Sequence, residues 1–156
     1  MIKVNIVCVG RVKEKYFADG IKEYEKRLGK YCDFKIVELD EENYNKVDDC
    51  IIASIKQKEA EKIEKSLSGY VFCTAIEGKT CSSEEFAKKI KSHIDKGENI
   101  TFVVGGSYGV DAKIKQKSNE LISFSGMTFP HTLFRLILTE QIYRAFSIIN
   151  KSSYHK

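Results

Sequence analysis

The sequence predicts a single α/β domain built on a mainly parallel sheet with helices on both faces. Three observations carry this prediction. Apolar residues alternate between runs of period two and runs spaced by three and four, so strands and helices take turns along the chain. One strand candidate, Tyr70 to Ile76, runs apolar along its length, as a strand covered on both faces does. The chain has 156 residues, 42% hydrophobic with 8 Tyr and 9 Phe, which is enough for one core and leaves little room for a second.

The elements follow in order. Ile2, Val4, Ile6 and Cys8 alternate with Lys3, Asn5 and Val7 and end at Gly10, which reads as a strand and a turn. Phe17, Ile21, Tyr24 and Leu28 form one face of a helix that stops near Gly29. Phe34 to Leu39 is a second strand, and the acidic stretch behind it is the best candidate for a mobile loop. Ile52, Ile55, Ile63 and Leu67 mark another helix with weaker periodicity. After the strand Tyr70 to Ile76, the residues Glu77-Gly78-Lys79 read as a turn. Ser82 and Glu85 have capping-box spacing, Phe86, Ile90 and Ile94 share the following helical face, and Gly97 ends it. Ile100 to Val104 is the next strand and leads directly into Gly105-Gly106-Ser107-Tyr108-Gly109. A short polar helix, Asp111 to Lys117, precedes a last strand, Leu121 to Phe124. The loop Ser125 to Pro130 then opens a long helix from about His131 to Ile149, with the sole proline of the chain suited to its first turn. Asn150 to Lys156 has no periodicity.

Composition narrows the function classes. No apolar run approaches the ~20 residues that span a bilayer, and Met1 to Gly10 reads as a strand and not a signal peptide, so a cytoplasmic protein is expected. Five cysteines at irregular spacing, without a C-x-x-C pair, predict reduced and mostly buried thiols. Three widely separated histidines argue against a metal site. The net charge of +4 is unevenly placed: residues 38 to 49 are acidic, whereas Glu140 is the one acid from Pro130 to Lys156, against Arg135, Arg144, Lys151 and Lys156. A basic end permits nucleic-acid contact, and a solvated surface is the equal alternative.

In a parallel sheet, ligands bind beyond the carboxyl ends of the strands, here the turns after Gly10, Ile76, Val104 and Phe124. The Gly105–Gly109 loop can bring backbone N–H groups close to a ligand, but it is neither a dinucleotide fingerprint nor a Walker A loop. It does match G-x-S-x-G, which makes a serine hydrolase the sharpest rival, with Ser107 as nucleophile, Asp111 or Glu120 as acid and His131 or His155 as base. The typical hydrolase sheet is larger than this chain allows. Arg135 and Arg144, read alone, belong to a solvated helix face. Tyr154 and His155 lie in a tail of the kind that usually frays, or else meet a base and a phosphate.

Four separated segments in one order are more specific than any of these alone. They are Val103 to Gly109, Ser123 to His131, Glu140-Gln141-Ile142-Tyr143-Arg144-Ala145, and the terminal Tyr154-His155-Lys156, joined by Val9-Gly10 and Glu23 to Leu28. Over nearly its full length the chain resembles the RlmH family, small methyltransferases of large-subunit ribosomal RNA in the SPOUT class. That resemblance implies a C-terminal trefoil knot, a homodimer whose partner completes each site, and S-adenosylmethionine as cofactor. The cofactor would be held at Thr74, Gly105 and the loop Phe124, Ser125, Gly126, Met127, Thr128 and Phe129. The implied reaction is methylation of N3 of pseudouridine 1915, in the helix 69 loop of 23S rRNA within the assembled ribosome. Arg144 and His155 would position the substrate and handle its proton, with Tyr154 as a stacking partner. A catalytically idle ribosome-binding module on the same fold is the alternative. Two departures from the family pattern stand out: Ser152, Ser153 and Lys156 in the tail, and Thr74 where many relatives carry leucine.

Overall fold

The computed structural model describes residues 1–156. Its elements alternate as β1 (Lys3–Val9), α1 (Lys15–Leu28), β2 (Asp33–Leu39), α2 (Asp49–Glu64), β3 (Tyr70–Thr80), α3 (Ser83–Asp95), β4 (Ile100–Val104), α4 (Ala112–Lys117), β5 (Glu120–Ser123) and α5 (His131–Ile149). Every strand pairing is parallel, in the order β2-β1-β4-β3-β5. The expected sheet and the expected order of elements are therefore present.

Strand pleating divides the core in two. From β1, Val4, Ile6 and Cys8 face one cluster with Leu28 of α1, Phe86 and Ile90 of α3, and Leu138 and Ile142 of α5. Val7 and Val9 face the other, with Ala60 and Ile63 of α2 and Ile114 of α4. β4 sits between and is buried at every residue, as a central strand of a doubly covered sheet must be.

The helix starts are chemically explicit. Ser82 Oγ accepts from the Glu85 amide at 3.1 Å and Glu85 returns the bond to the Ser82 amide at 2.8 Å, completing the capping box. Asp48 accepts from the Ile51 amide and Asp111 from that of Lys113, so each caps the helix that follows it. The acidic stretch before α2 has no regular structure, but Lys62 ties it down through the Asp40 carbonyl at 3.0 Å and the Glu42 carboxylate at 2.9 Å.

Three local readings are corrected. Glu77-Gly78-Lys79 is not a turn: β3 continues through it, and pairing with β5 resumes at Lys79 after a register shift that leaves residues 75 to 78 looped out. Gly78 serves close approach here, since a Cβ would lie 2.7 Å from the Ile122 backbone. Arg135 is not on a solvated face. It is 1% exposed, and its guanidinium donates to Glu38 at 2.7 Å and to the carbonyl of Gly10 at 3.1 Å. The basic end thus spends one charge on the acidic stretch. Nor does the tail fray: Lys151 takes a positive φ of 55°, and Tyr154 folds back edge-on to Tyr143, with ring centroids 4.7 Å apart.

Candidate functional site

The loop-out of β3, the turn after β4 and the segment after β5 converge at the carboxyl end of the sheet, around an open cavity of about 250 Å³. Thr74, Gly105, Phe124, Ser125, Met127, Thr128 and Phe129 all line it, while Gly126 stands back and is exposed. Seven of eight residues nominated for cofactor binding thus share one wall, although they come from three segments.

Local chemistry explains how each segment gets there. Thr74 Oγ1 donates to the Val103 carbonyl at 2.7 Å, clamping β3 to β4 where both reach the cavity. Gly105 allows the loop to fold on itself, since a Cβ would meet the Gly109 carbonyl carbon and the Val110 side chain at 2.7 Å. The 124–129 loop is shaped by Ser125, whose Oγ accepts from the Met127 amide at 2.9 Å. The amides of Ser125, Thr128 and Phe129 make no hydrogen bond within the chain, so they are free to meet a ligand. Apolar side chains, among them Val104, Ile122, Phe124 and Phe134, supply the floor. Free backbone donors over an apolar floor suit a flat heterocycle with polar edges.

Other lining residues stood outside the nominated cofactor set. Glu77 and Lys115 meet at the cavity wall as an ion pair, and the Lys115 ammonium holds the Glu77 carboxyl below its ordinary value. His131, the first residue of α5, lines the cavity with Nδ1 buried and unpartnered. Behind the wall, Glu59 of α2 is 4% exposed, and its carboxylate would be 3.2 Å from a Cβ on Gly106. Burial, with Glu41 nearby, pushes its carboxyl up to about 7.

Arg144, Tyr154 and His155 are brought together, but elsewhere. Arg144 donates through Nε and Nη2 to Glu140, at 3.0 and 2.7 Å. Its Nη1 lies 3.1 Å from His155 Nδ1, and His155 Nε2 lies 2.7 Å from Glu84. Arginine only donates, so Nδ1 accepts and the Nε2 proton goes to Glu84. Tyr154 donates to Glu140 at 2.9 Å and receives Tyr24 at 3.1 Å, and burial raises its phenol well above the ordinary value. The Arg144 guanidinium sits 4.8 Å over the Tyr154 ring, so an incoming base has to displace it in order to stack there. Glu140 is the hub of this group. At 1.5 Å per residue, the Arg144 backbone lies about 20 Å along α5 from that of His131 at the cavity.

The hydrolase alternative finds no chain of groups. Ser107 is exposed and makes no hydrogen bond. Asp111 caps α4, Glu120 pairs with Lys89 at 2.7 Å, and His155 is engaged by Arg144 and Glu84. The thiols are no better placed as nucleophiles: Cys8, Cys32 and Cys73 are buried, and burial pushes Cys8 up to about 12 and Cys73 up to about 11. No helix is long and apolar enough to cross a membrane. No three His, Cys, Asp or Glu side chains are grouped to hold a metal.

A family model described as "Predicted SPOUT methyltransferase" matches residues 2–155. The ribosomal RNA large subunit methyltransferase H of Streptococcus uberis is 49% identical over 159 residues, covering 99% of this chain and 100% of that protein. The protein of the same name from Streptococcus pyogenes serotype M49 is 47% identical with the same coverage. Among solved structures, a probable methylase family protein from Haemophilus influenzae Rd KW20 aligns with a TM-score of 0.56 at 12% identity, covering 99% of this chain and 70% of that one. A putative methylase family protein from Neisseria gonorrhoeae gives 0.52 at 11%, covering 91% and 81%. At such identities the two structures speak for the fold alone.

Proposed function

The chain belongs to the SPOUT methyltransferase family, and we propose that it is an rRNA methyltransferase that moves the methyl group of S-adenosylmethionine to N3 of pseudouridine 1915 in the helix 69 loop of 23S rRNA. The observation that carries this reading is the convergence of Thr74, Gly105 and the 124–129 backbone on one cavity at the carboxyl end of the sheet. The residues present fit the cofactor: free amides at Ser125, Thr128 and Phe129 would hold the polar edges of an adenosine, and the apolar floor would take its faces. When bound, S-adenosylmethionine supplies a methyl group already activated on a sulfonium.

That leaves this chain three tasks: to hold the donor, to present the base, and to accept the proton that N3 loses. The cavity performs the first. Arg144 and His155 perform the others, Arg144 as a fork for phosphate or base oxygen and His155 Nδ1 as the proton's acceptor once Arg144 turns to the substrate. Tyr154, anchored to Glu140 and Tyr24, keeps both near the surface of α5 and becomes a stacking face when Arg144 swings away.

The ~20 Å of helix between His131 and Arg144 argues for dividing these jobs between two protomers. In this reading the protein works as a homodimer in which the partner's tail closes each cavity. Exposed Ile76 and Met127 at the cavity and Tyr108 on its loop supply an apolar surface for that contact. The C-terminal segment that leaves β5 for α5 is the part that makes the family's trefoil knot. The enzyme acts in the cytoplasm on assembled ribosomes.

The test is mass analysis of 23S rRNA from cells lacking the gene. Loss of one methyl group at that pseudouridine, restored by the wild-type gene and not by Arg144→Ala, is the expected result. An unchanged modification pattern would sink the proposal, and absence of S-adenosylmethionine binding at millimolar concentration would favour an idle ribosome-binding module.

A further inference from the structure

We propose that Lys115 and Glu77 form the subsite for the amino-acid end of the cofactor, Lys115 taking its carboxylate and Glu77 its α-ammonium. This inference rests on the reading of the cavity as an S-adenosylmethionine site.

The cavity wall carries only two residues with a full permanent charge, and they are of opposite sign. They come from different elements: Glu77 from the loop-out of β3, Lys115 from α4. Each is satisfied by the other. The remainder of the wall is apolar side chains, hydroxyls, backbone and His131. An α-amino acid is a compact pair of opposite charges, so it is the portion of the cofactor that an ion pair at the wall complements. Adenine and ribose have no use for it.

Exchange of partners is physically cheap here. The Lys115 side chain is 27% exposed and that of Glu77 56%, so their pairing is partly screened by solvent and gives way to equivalent bonds with a ligand. Without a ligand, the pair keeps two charges at the cavity wall compensated. With a zwitterion bound, four charges alternate in sign. Adenosine derivatives that lack the amino-acid end leave the pair closed and gain nothing from it. Lys115 is thus a specificity-determining residue, separate from the backbone cradle.

Calorimetry with two ligands isolates the effect. S-adenosylhomocysteine carries the amino-acid end, and 5′-methylthioadenosine lacks it. Lys115→Met is expected to weaken S-adenosylhomocysteine roughly tenfold, the scale of one charged hydrogen bond, while 5′-methylthioadenosine changes less than about twofold. Lys115→Arg, which keeps the charge, is expected to preserve the preference, and equal melting temperatures check that the fold is intact. Equal loss of both ligands in Lys115→Met, or loss of neither, overturns the subsite. Failure of the wild-type protein to bind either ligand overturns the cavity reading itself, and the subsite with it.

Discussion

Arg135 and Glu59 show how much a single residue's meaning depends on what surrounds it. Arg135 joins the N-terminal half of α5 to the carboxyl ends of β1 and β2 through Gly10 and Glu38. Its side chain is 2% exposed and that of Glu38 is 42% exposed, so the two halves of the pair are not equivalent. Arg135→Ala strips buried carbonyls of their donor and opens a void, and it should lower the unfolding free energy in urea by about 3 kcal/mol. Glu38→Gln keeps the hydrogen bond but leaves the buried guanidinium without its counter-charge, so a smaller loss of about 1–2 kcal/mol is expected. Glu59 gives a pH signature. Its carboxyl is raised from 4.5 to about 7 on folding, so the folded state holds the proton more tightly than the unfolded chain does. Stability from this group is complete below about 4.5, falls as pH rises to about 7, and is flat above. Unfolding free energies from urea titrations at pH 5 and pH 8 should differ by more in the wild type than in Glu59→Gln, by on the order of 1–3 kcal/mol.

Among the elements, helix boundaries were legible where they depend on neighbours in the chain. The capping box at Ser82 and Glu85 is satisfied within four residues, so spacing alone reveals it. Ser82→Ala should cost about 1 kcal/mol in thermal or chemical unfolding. The extent of β3 was not legible. Glu77-Gly78-Lys79 has turn composition, yet Lys79 and Thr80 are held in a strand by Ile122 and Ser123, more than forty positions away. Gly78→Ala forces a Cβ against the Ile122 backbone, which cannot yield as a flexible side chain would. A loss of at least ~2 kcal/mol is expected, together with a weaker grip on the cofactor, because the neighbouring Ala75, Ile76 and Glu77 line the cavity. Measuring stability and S-adenosylhomocysteine affinity on one preparation separates the two effects.

At the scale of the whole molecule, the separation of cavity and tail has a consequence that mixing can reveal. A Gly105→Val protomer has a blocked cavity and an intact tail, and an Arg144→Ala protomer has the reverse. If each site joins one protomer's cavity to the other's tail, a mixed dimer holds one wholly wild-type site. Refolding the two variants together should then recover about a quarter of wild-type methylation, since half the dimers are mixed and each has one working site of two. If cavity and tail act within one protomer, the mixture stays as inactive as its parts. The nominated residues were legible in unequal ways. Thr74, Gly105 and the 124–129 loop lie at strand ends, where a parallel sheet puts its ligands. Glu140, which organises Arg144 and Tyr154, stood within a quoted motif but had no role assigned until its hydrogen bonds were seen.

By itself the sequence determined the order and type of the elements, the faces they bury, the capped helix starts and the strand ends where a ligand would sit. All of these follow from periodicity and from contacts a few residues apart. Only the tertiary structure decided that Arg135 is buried, that β3 runs on past its glycine, that the tail docks on Tyr143, and that Lys115 meets Glu77. Each of these depends on a partner between 11 and 125 positions away in the chain. Local pattern holds no record of such a partner, because the burial and pairing that fix each side chain's state exist only once the sheet has assembled.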